Sequence, residues 1–587
     1  MSKLDRRLLI DVCLGREKAD VVLKCGTLLN VFSGEILENV DVVVKGDRIA
    51  YVGENSTNMV GASTRVIKIS EGVVVPGFVD AHTHIDALCS PTEQAKMALI
   101  HGTTTLFAEP DELASVLGAR GLEIFIHEVR ALPVKVYVLV PLTVPQDPTL
   151  SPIKPMPPST YKRFLSLDSV AGLGETVAWT LILDNESYYV ERFKLALEAG
   201  KLIEGHTAGA RDFKLASCIC AGVSSCHEAI NAEQALERLR LGLFLMIREG
   251  SIKRSLPSIL PQLIVSNVNL CNVALVTDGV DPIDLMETGY IDNVVREAIE
   301  HGLDPVRAIQ MVTINPARHF KMDDHIGAIV PGRYADITVI KSLEKPKVLL
   351  TICNGHVRAK DGKFIGEVKK YQYPPYVFKT MKVKGKVRPE MLRIQAPINE
   401  GPVKSVAARL ENETVTRKEL VEVNVVNGEV KADEDLDLAK IAVIDRHFRS
   451  GRIGLGLIKG FGAKIGAIAC SLNFDENQLV VIGYRDVDMA SAANAVIDLG
   501  GGIAVWHNGR LLEALPMPIA GVISTESLEE VAGKLANINR ALRAAGSPFT
   551  KPLNAVFFTT FVSLPEIRFT DKGIVDVKNR RYIPLFA

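Results

Sequence analysis

From residue 76 to about residue 280 the sequence alternates short apolar runs of strand length with stretches of helical periodicity. Eight candidate strands can be counted, at 78–82, 103–108, 135–141, 170–175, 202–206, 222–227, 243–247 and 273–278. Helical patterns fall between most of them, as at 188–199 and 228–240. Strands joined by helical crossovers pair in parallel, because each helix returns the chain to the same end of the sheet. Eight such units in one block of ~250 residues predict a closed (β/α)8 barrel.

The segments on either side follow a different pattern. Residues 21–75 carry short β-branched runs, such as Val42-Val43-Val44 and Val73-Val74-Val75, with Gly46-Asp47 as a turn signal. Residues 320–375 return to short strands, with Asn354-Gly355 as a hairpin turn. Since the two flank the barrel, they are expected to share one sheet or sandwich. Residues 1–18 read as a short amphipathic helix, and 371–400 as a linker. The rest, to residue 587, mixes strands, helices and glycine-rich stretches. The expected fold class is α/β: a (β/α)8 TIM barrel, a flanking composite β-sandwich and an α+β C-terminal domain. The expected division is 1–75 and 320–375 for the composite β domain, 76–319 for the barrel and 376–587 for the C-terminal domain.

Charge and cysteine usage narrow the partners. Lys+Arg number 68 and Asp+Glu 69, a net charge of −1. That balance gives no basic footprint for nucleic acid or an anionic membrane. No apolar run approaches the ~18 residues of a membrane span, and residues 1–7 do not read as a signal peptide. The nine cysteines contain no C-x-x-C pair. They read as reduced thiols in a cytoplasmic protein.

The chemistry begins with Asp80-Ala81-His82-Thr83-His84, which closes the first strand. Side chains two apart on a strand face the same way, so His82 and His84 both point into the barrel mouth. Ligand-type residues end four other strands: Glu175, His206, His227 and Asp278. Barrel enzymes place catalysis at these C-terminal strand ends. Four imidazoles and two carboxylates suffice for two divalent ions. Two such cations would lower the pKa of shared water toward neutrality. A carboxylate beside that water, Asp278, could take its proton and return it to a leaving amine. Glu228 reads equally well as a helix-start acid or as a second proton shuttle. The remaining histidines, 101, 127, 301, 319, 325, 356, 447 and 507, read as structural or surface residues, and Cys226 as packing.

In this order on an eightfold barrel, H-x-H, Glu, His, His and Asp resemble the amidohydrolase superfamily. The whole chain is similar to its adenine deaminase family. The resemblance is carried by Gly205-His206-Thr207-Ala208-Gly209, Cys226-His227-Glu228, Met246-Ile247-Arg248-Glu249-Gly250, Asn315-Pro316-Ala317-Arg318, Lys459-Gly460-Phe461-Gly462 and Leu515-Pro516-Met517-Pro518. It implies hydrolysis of adenine to hypoxanthine and ammonia in purine salvage. Two divalent ions are implied, manganese first with iron or zinc as alternatives, held by His82, His84, Glu175, His206, His227 and Asp278. Glu175 would take the bridging place; no lysine lies between Phe164 and Lys194 to compete for it. A cytoplasmic homo-oligomer, a dimer, with a purine or related heterocycle as substrate completes the expectation. The chain departs from the family pattern at Asp111, where a histidine is usual, at Gly279, where a second Asp is common, and at Asn473-Phe474-Asp475-Glu476. Those departures make another cyclic amide or amino-heterocycle the alternative substrate. Glu109 and Asp111 are the candidate substrate contacts.

Overall fold

The computed structural model describes residues 6–185 and 187–586. Phe78–Thr83, Thr103–Ala108, Lys135–Val140, Val170–Leu173 and Leu202–Ile203 form a five-stranded parallel sheet in that order. Ser225–Cys226, Phe244–Arg248 and Val273–Val276 form a second parallel sheet of three. Backbone bonds join the two arcs at both edges. Ser224 N–H donates to Ile203 O at 2.9 Å, and Asp278 N–H to His82 O at 3.0 Å.

Alternate residues on these strands serve two cores. Val79, Ala81, Phe107, Leu139, Ala171, Met246 and Ala274 pack together inside the arcs. Leu106, Val138, Leu173, Leu245 and Leu275 face the surrounding helices. Both faces are therefore buried, which is why the strands read as continuous apolar runs.

The fifth and sixth strands are shorter than the sequence pattern, two residues each, because the chain leaves the ladder to deliver His206 and His227. The helix expected from residue 228 begins at Ala232, where the Asn231 side chain accepts from Gln234 N–H. Glu228 thus lies in the loop ahead of it.

A nine-stranded sheet combines both flanking segments. Val73–Pro76 pairs antiparallel with Ile337–Ile340, setting Pro76 opposite Ile337. Lys135 and Asp336, both nearly fully buried, tie this sheet to the parallel strand Lys135–Val140 at 2.6 Å. Residues beyond 371 are less like a linker than the sequence suggests. Val377, Val387 and Leu392 are buried, and Val377 O accepts from Ala520 N–H at 2.9 Å.

A ten-stranded sheet follows, with Leu438–Ile444 and Leu479–Gly483 near its middle, packed by the helices Asp486–Asp498 and Leu528–Ala544. The second helix starts with a reciprocal capping box between Ser527 and Glu530. Between Ala467–Cys470 and Leu479–Gly483 the chain makes a buried loop, 471–478, against Glu112, Ser115 and Ser151. Among the described residues no helix is long and apolar enough to cross a membrane.

Candidate metal centre

Strand alternation brings the two histidines of the first strand to one place. His82 is 1% exposed, and its Nε2 lies 3.0 Å from Asp278 Oδ1 and 3.5 Å from Glu175 Oε1. His84 Nε2 lies 3.1 Å from the same Glu175 oxygen. The other Glu175 oxygen meets His206 Nδ1 and lies 3.3 Å from His227 Nε2. Glu175 therefore stands between two pairs of imidazoles, one from the first strand and one from the fifth and sixth.

Asp278 sits at φ 55°, a left-handed backbone that is unusual for a residue with a side chain. Gly279 follows at φ 96°, so an aspartate there would be strained. The chain turns back at this point, Asp278 Oδ1 facing His82 and Oδ2 facing Arg248.

The donor set fits divalent cations. His82, Glu175, His227 and Asp278 each offer a ligand atom within 4.8 Å of the others, as do His206, His227 and Glu228. His84, Asp111 and Glu175 form a third such group. His206 Nδ1 and His227 Nε2 face each other at 3.2 Å, while buried His206 Nε2 has no hydrogen-bond partner. Converging lone pairs of this kind are satisfied by metal ions.

The electrostatics separate the groups. Burial acts to raise the Glu175 carboxyl, but His206 and His227 outweigh it and hold Glu175 well below the usual carboxylate range. Burial is likewise outweighed at Asp278, by Arg248 and then His82. Both stay ionised. Glu109 goes the other way: burial, then Asp111 and Glu175, push it well up. Its Oε2 accepts from Glu175 N–H at 2.9 Å, and a side chain at Gly174 would collide with its carboxyl. Glu109 thus lies fully buried beneath Glu175. Asp111 Oδ2 is 3.0 Å from His84 Nδ1 and orients that ring.

Glu228 is buried, 3.4 Å from His206 Nε2 and paired to Arg248 Nη1. It lies in the loop ahead of the helix that starts at Ala232. Arg248, 4% exposed, bridges Glu228 and Asp278. As an arginine it is not a metal-ligand type, so residue type alone does not single it out. The available signal was a cation closing the seventh strand. Cys226 packs away from the ligands, where Arg238 Nε donates to its Sγ at 3.1 Å. His319, also read as structural, pairs with Glu204 at 2.8 Å behind the site.

The amidohydrolase family model matches residues 73–358, and the adenine deaminase C-terminal domain matches 413–581. An adenine deaminase of Moorella thermoacetica is 38% identical, covering 99% of this chain and 98% of its own. An adenine deaminase of Cenarchaeum symbiosum is 36% identical over 100% of this chain and 96% of its own. Among solved structures, a β-aspartyl dipeptidase of Fervidobacterium islandicum AW-1 matches with TM-score 0.46 and 17% identity, covering 60% of this chain and 98% of its own.

Proposed function

Because the chain belongs to the adenine deaminase family of amidohydrolases, we propose that it hydrolyses adenine to hypoxanthine and ammonia at this centre. The observation that carries the reading is the convergence of His82, Glu175, His227 and Asp278 on one small volume, with His84 and His206 beside them. The two parallel arcs are read as one closed eightfold barrel whose mouth is the active site. The segments 1–75 and 320–375 are read as one domain beside it, and 376–587 as a third.

His82, His84, Glu175 and Asp278 would hold one divalent ion, and Glu175, His206 and His227 a second, with manganese the first choice. When bound, such ions acidify water toward neutrality. The chain's own residues then move protons. Asp278, ionised and held by Arg248, takes a proton as water adds to C6 of the purine. Glu228, whose carboxyl burial acts to raise but Arg248 holds below the usual range, takes the second proton of the added water from the C6 hydroxyl and delivers it to the adjacent ring nitrogen. Asp278 returns its proton to the exocyclic amine, the C6–N6 bond breaks and ammonia leaves; an amide anion would be too poor a leaving group without it. Glu109 and Asp111 support this set, Glu109 from beneath Glu175 and Asp111 from behind His84. A cytoplasmic dimer is the proposed working form.

The test is hypoxanthine formation from adenine by purified, manganese-loaded protein. If adenine gives no product while another amino-heterocycle or cyclic amide is hydrolysed, that substrate replaces adenine.

A further inference from the structure

The loop 471–478 is fixed to the barrel by more contacts than a connection between two strands needs. Asn477 Nδ2 donates to Ser115 Oγ at 2.6 Å and to Glu112. Glu476 accepts from Ser151 Oγ at 2.7 Å, and Asn473 from Thr560 Oγ1 at 2.9 Å. Arg446 donates to the carbonyls of Ser471 and Asn477 from below. These bonds hold Asp475 against the loop after the third barrel strand. There Gln146 Nε2 donates to Asp475 Oδ2 at 2.8 Å.

One buried acceptor is left over in that corner, beside a carboxyl that makes a single hydrogen bond. Gln146 is 0% exposed, and its Oε1 is buried with no partner. Asp475 is 8% exposed, and Oδ2 holds its one hydrogen bond among the described residues. A buried acceptor without a donor is costly and calls for one from outside the protein. The corner also lies in the field of the centre: burial, then Asp111 and Glu112, with Glu175 contributing, push the Asp475 carboxyl well up. Such surroundings disfavour an anionic ligand.

We infer that Asp475 and Gln146 form the subsite that accepts the N–H of the purine's five-membered ring. The inference rests on the proposed deamination of adenine. In that reaction the amine must lie toward Asp278 and Arg248, on the seventh and eighth strands. Gln146 follows the third strand, across the mouth, so the ring edge remote from the amine faces it. The C-terminal domain thereby contributes directly to substrate recognition, and a substituent on the ring nitrogen removes the donor and enters an occupied corner.

The experiment is steady-state kinetics of manganese-loaded wild type, Asp475→Leu, Asp475→Asn and Gln146→Leu with adenine and 9-methyladenine. Loss of one such hydrogen bond is worth roughly ten- to hundredfold. The expected result is a KM for adenine raised by that factor in Asp475→Leu and Gln146→Leu, with kcat within about threefold and metal content unchanged. Asp475→Asn, whose amide oxygen still accepts, should recover most of the loss. The preference for adenine over 9-methyladenine should shrink by the same factor in Asp475→Leu. If Asp475→Leu does not fold, Asp475→Asn and Gln146→Leu carry the test. An unchanged KM in metal-loaded variants, or an equal loss on both substrates, overturns the subsite alone. A wild type that forms no hypoxanthine overturns the deaminase reading and the subsite with it.

Discussion

Arg248 at the candidate metal centre and Arg446 beneath the loop 471–478 are both buried guanidinium groups, 4% and 0% exposed. Arg248 faces the carboxylates of Glu228 and Asp278. Arg446 faces the carbonyl oxygens of Ser471, Asn477 and Ala520. Arg568, also buried, behaves like Arg446 and donates to Phe558 O and Leu564 O, among other carbonyls. A carboxylate can gain or lose a proton and so change what it asks of its partner. A backbone carbonyl cannot. The mouth therefore holds its cation among groups that can change protonation state, and the C-terminal region uses its cations as fixed staples.

The sharpest way to break this contrast is at Asp278. Asp278→Asn keeps the size but cannot cycle a proton, and the rate of hypoxanthine formation per bound metal should fall ~10²–10⁴-fold. A variant within a few-fold of wild type would remove Asp278 from the proton path.

Next is Arg248→Met, which leaves Glu228 and Asp278 without their shared cation. Misplacing the acid–base group should cost up to ~10²-fold in kcat, with partial recovery in Arg248→Lys. Equal activities in Met and Lys variants would mean that the charge does not position Asp278.

Arg446→Met tests the other side. Stripping donors from three buried carbonyls should destabilise the fold by about 2–4 kcal/mol, read as a lower urea midpoint. The loop bearing Asp475 loosens, so KM should rise while manganese content holds. A collapse of kcat or loss of metal would show that the two regions are not separable in this way.

The smallest effect concerns Glu476, whose buried carboxyl is pushed up to about 8 by burial, against the Ser151 hydroxyl. An unfolded glutamate titrates near ~4.3. The folded protein thus holds this proton more tightly, so its contribution to stability is complete at low pH and is lost as pH rises through about 8. Between pH 6 and 9 the wild type should lose about 2 °C more in Tm than Glu476→Gln. Identical pH profiles would place Glu476 outside the set of titrating loop groups.

The two regions also differ in how much the sequence reveals. At the mouth, period-two alternation and strand-end position single out His82, His84, Glu175, His206, His227 and Asp278, and the structure gathers those residues. Local pattern carries this information because each residue is placed by its own strand. The loop 471–478 has no such pattern. Asn477 meets Glu112 across 365 residues, and Asp475 meets Gln146 across 329. Nothing in either neighbourhood announces the other. Helix onset at Ala232 differs from the sequence pattern for a smaller reason: the apolar periodicity extends past the cap, and the Asn231 side chain decides where the helix starts.

The pairing of Val73–Pro76 with Ile337–Ile340 also bears on how the chain is made. The strands before residue 76 leave the ribosome early, but the neighbour that covers Val73–Pro76 is not synthesised until the whole barrel segment has followed. At ~5–20 residues per second that delay is on the order of tens of seconds. During it the nascent chain exposes an unfinished sheet edge, a template for unwanted pairing. Translation speed across the barrel segment, rather than the thermodynamics of the finished protein, would then set how much of the product needs chaperone protection.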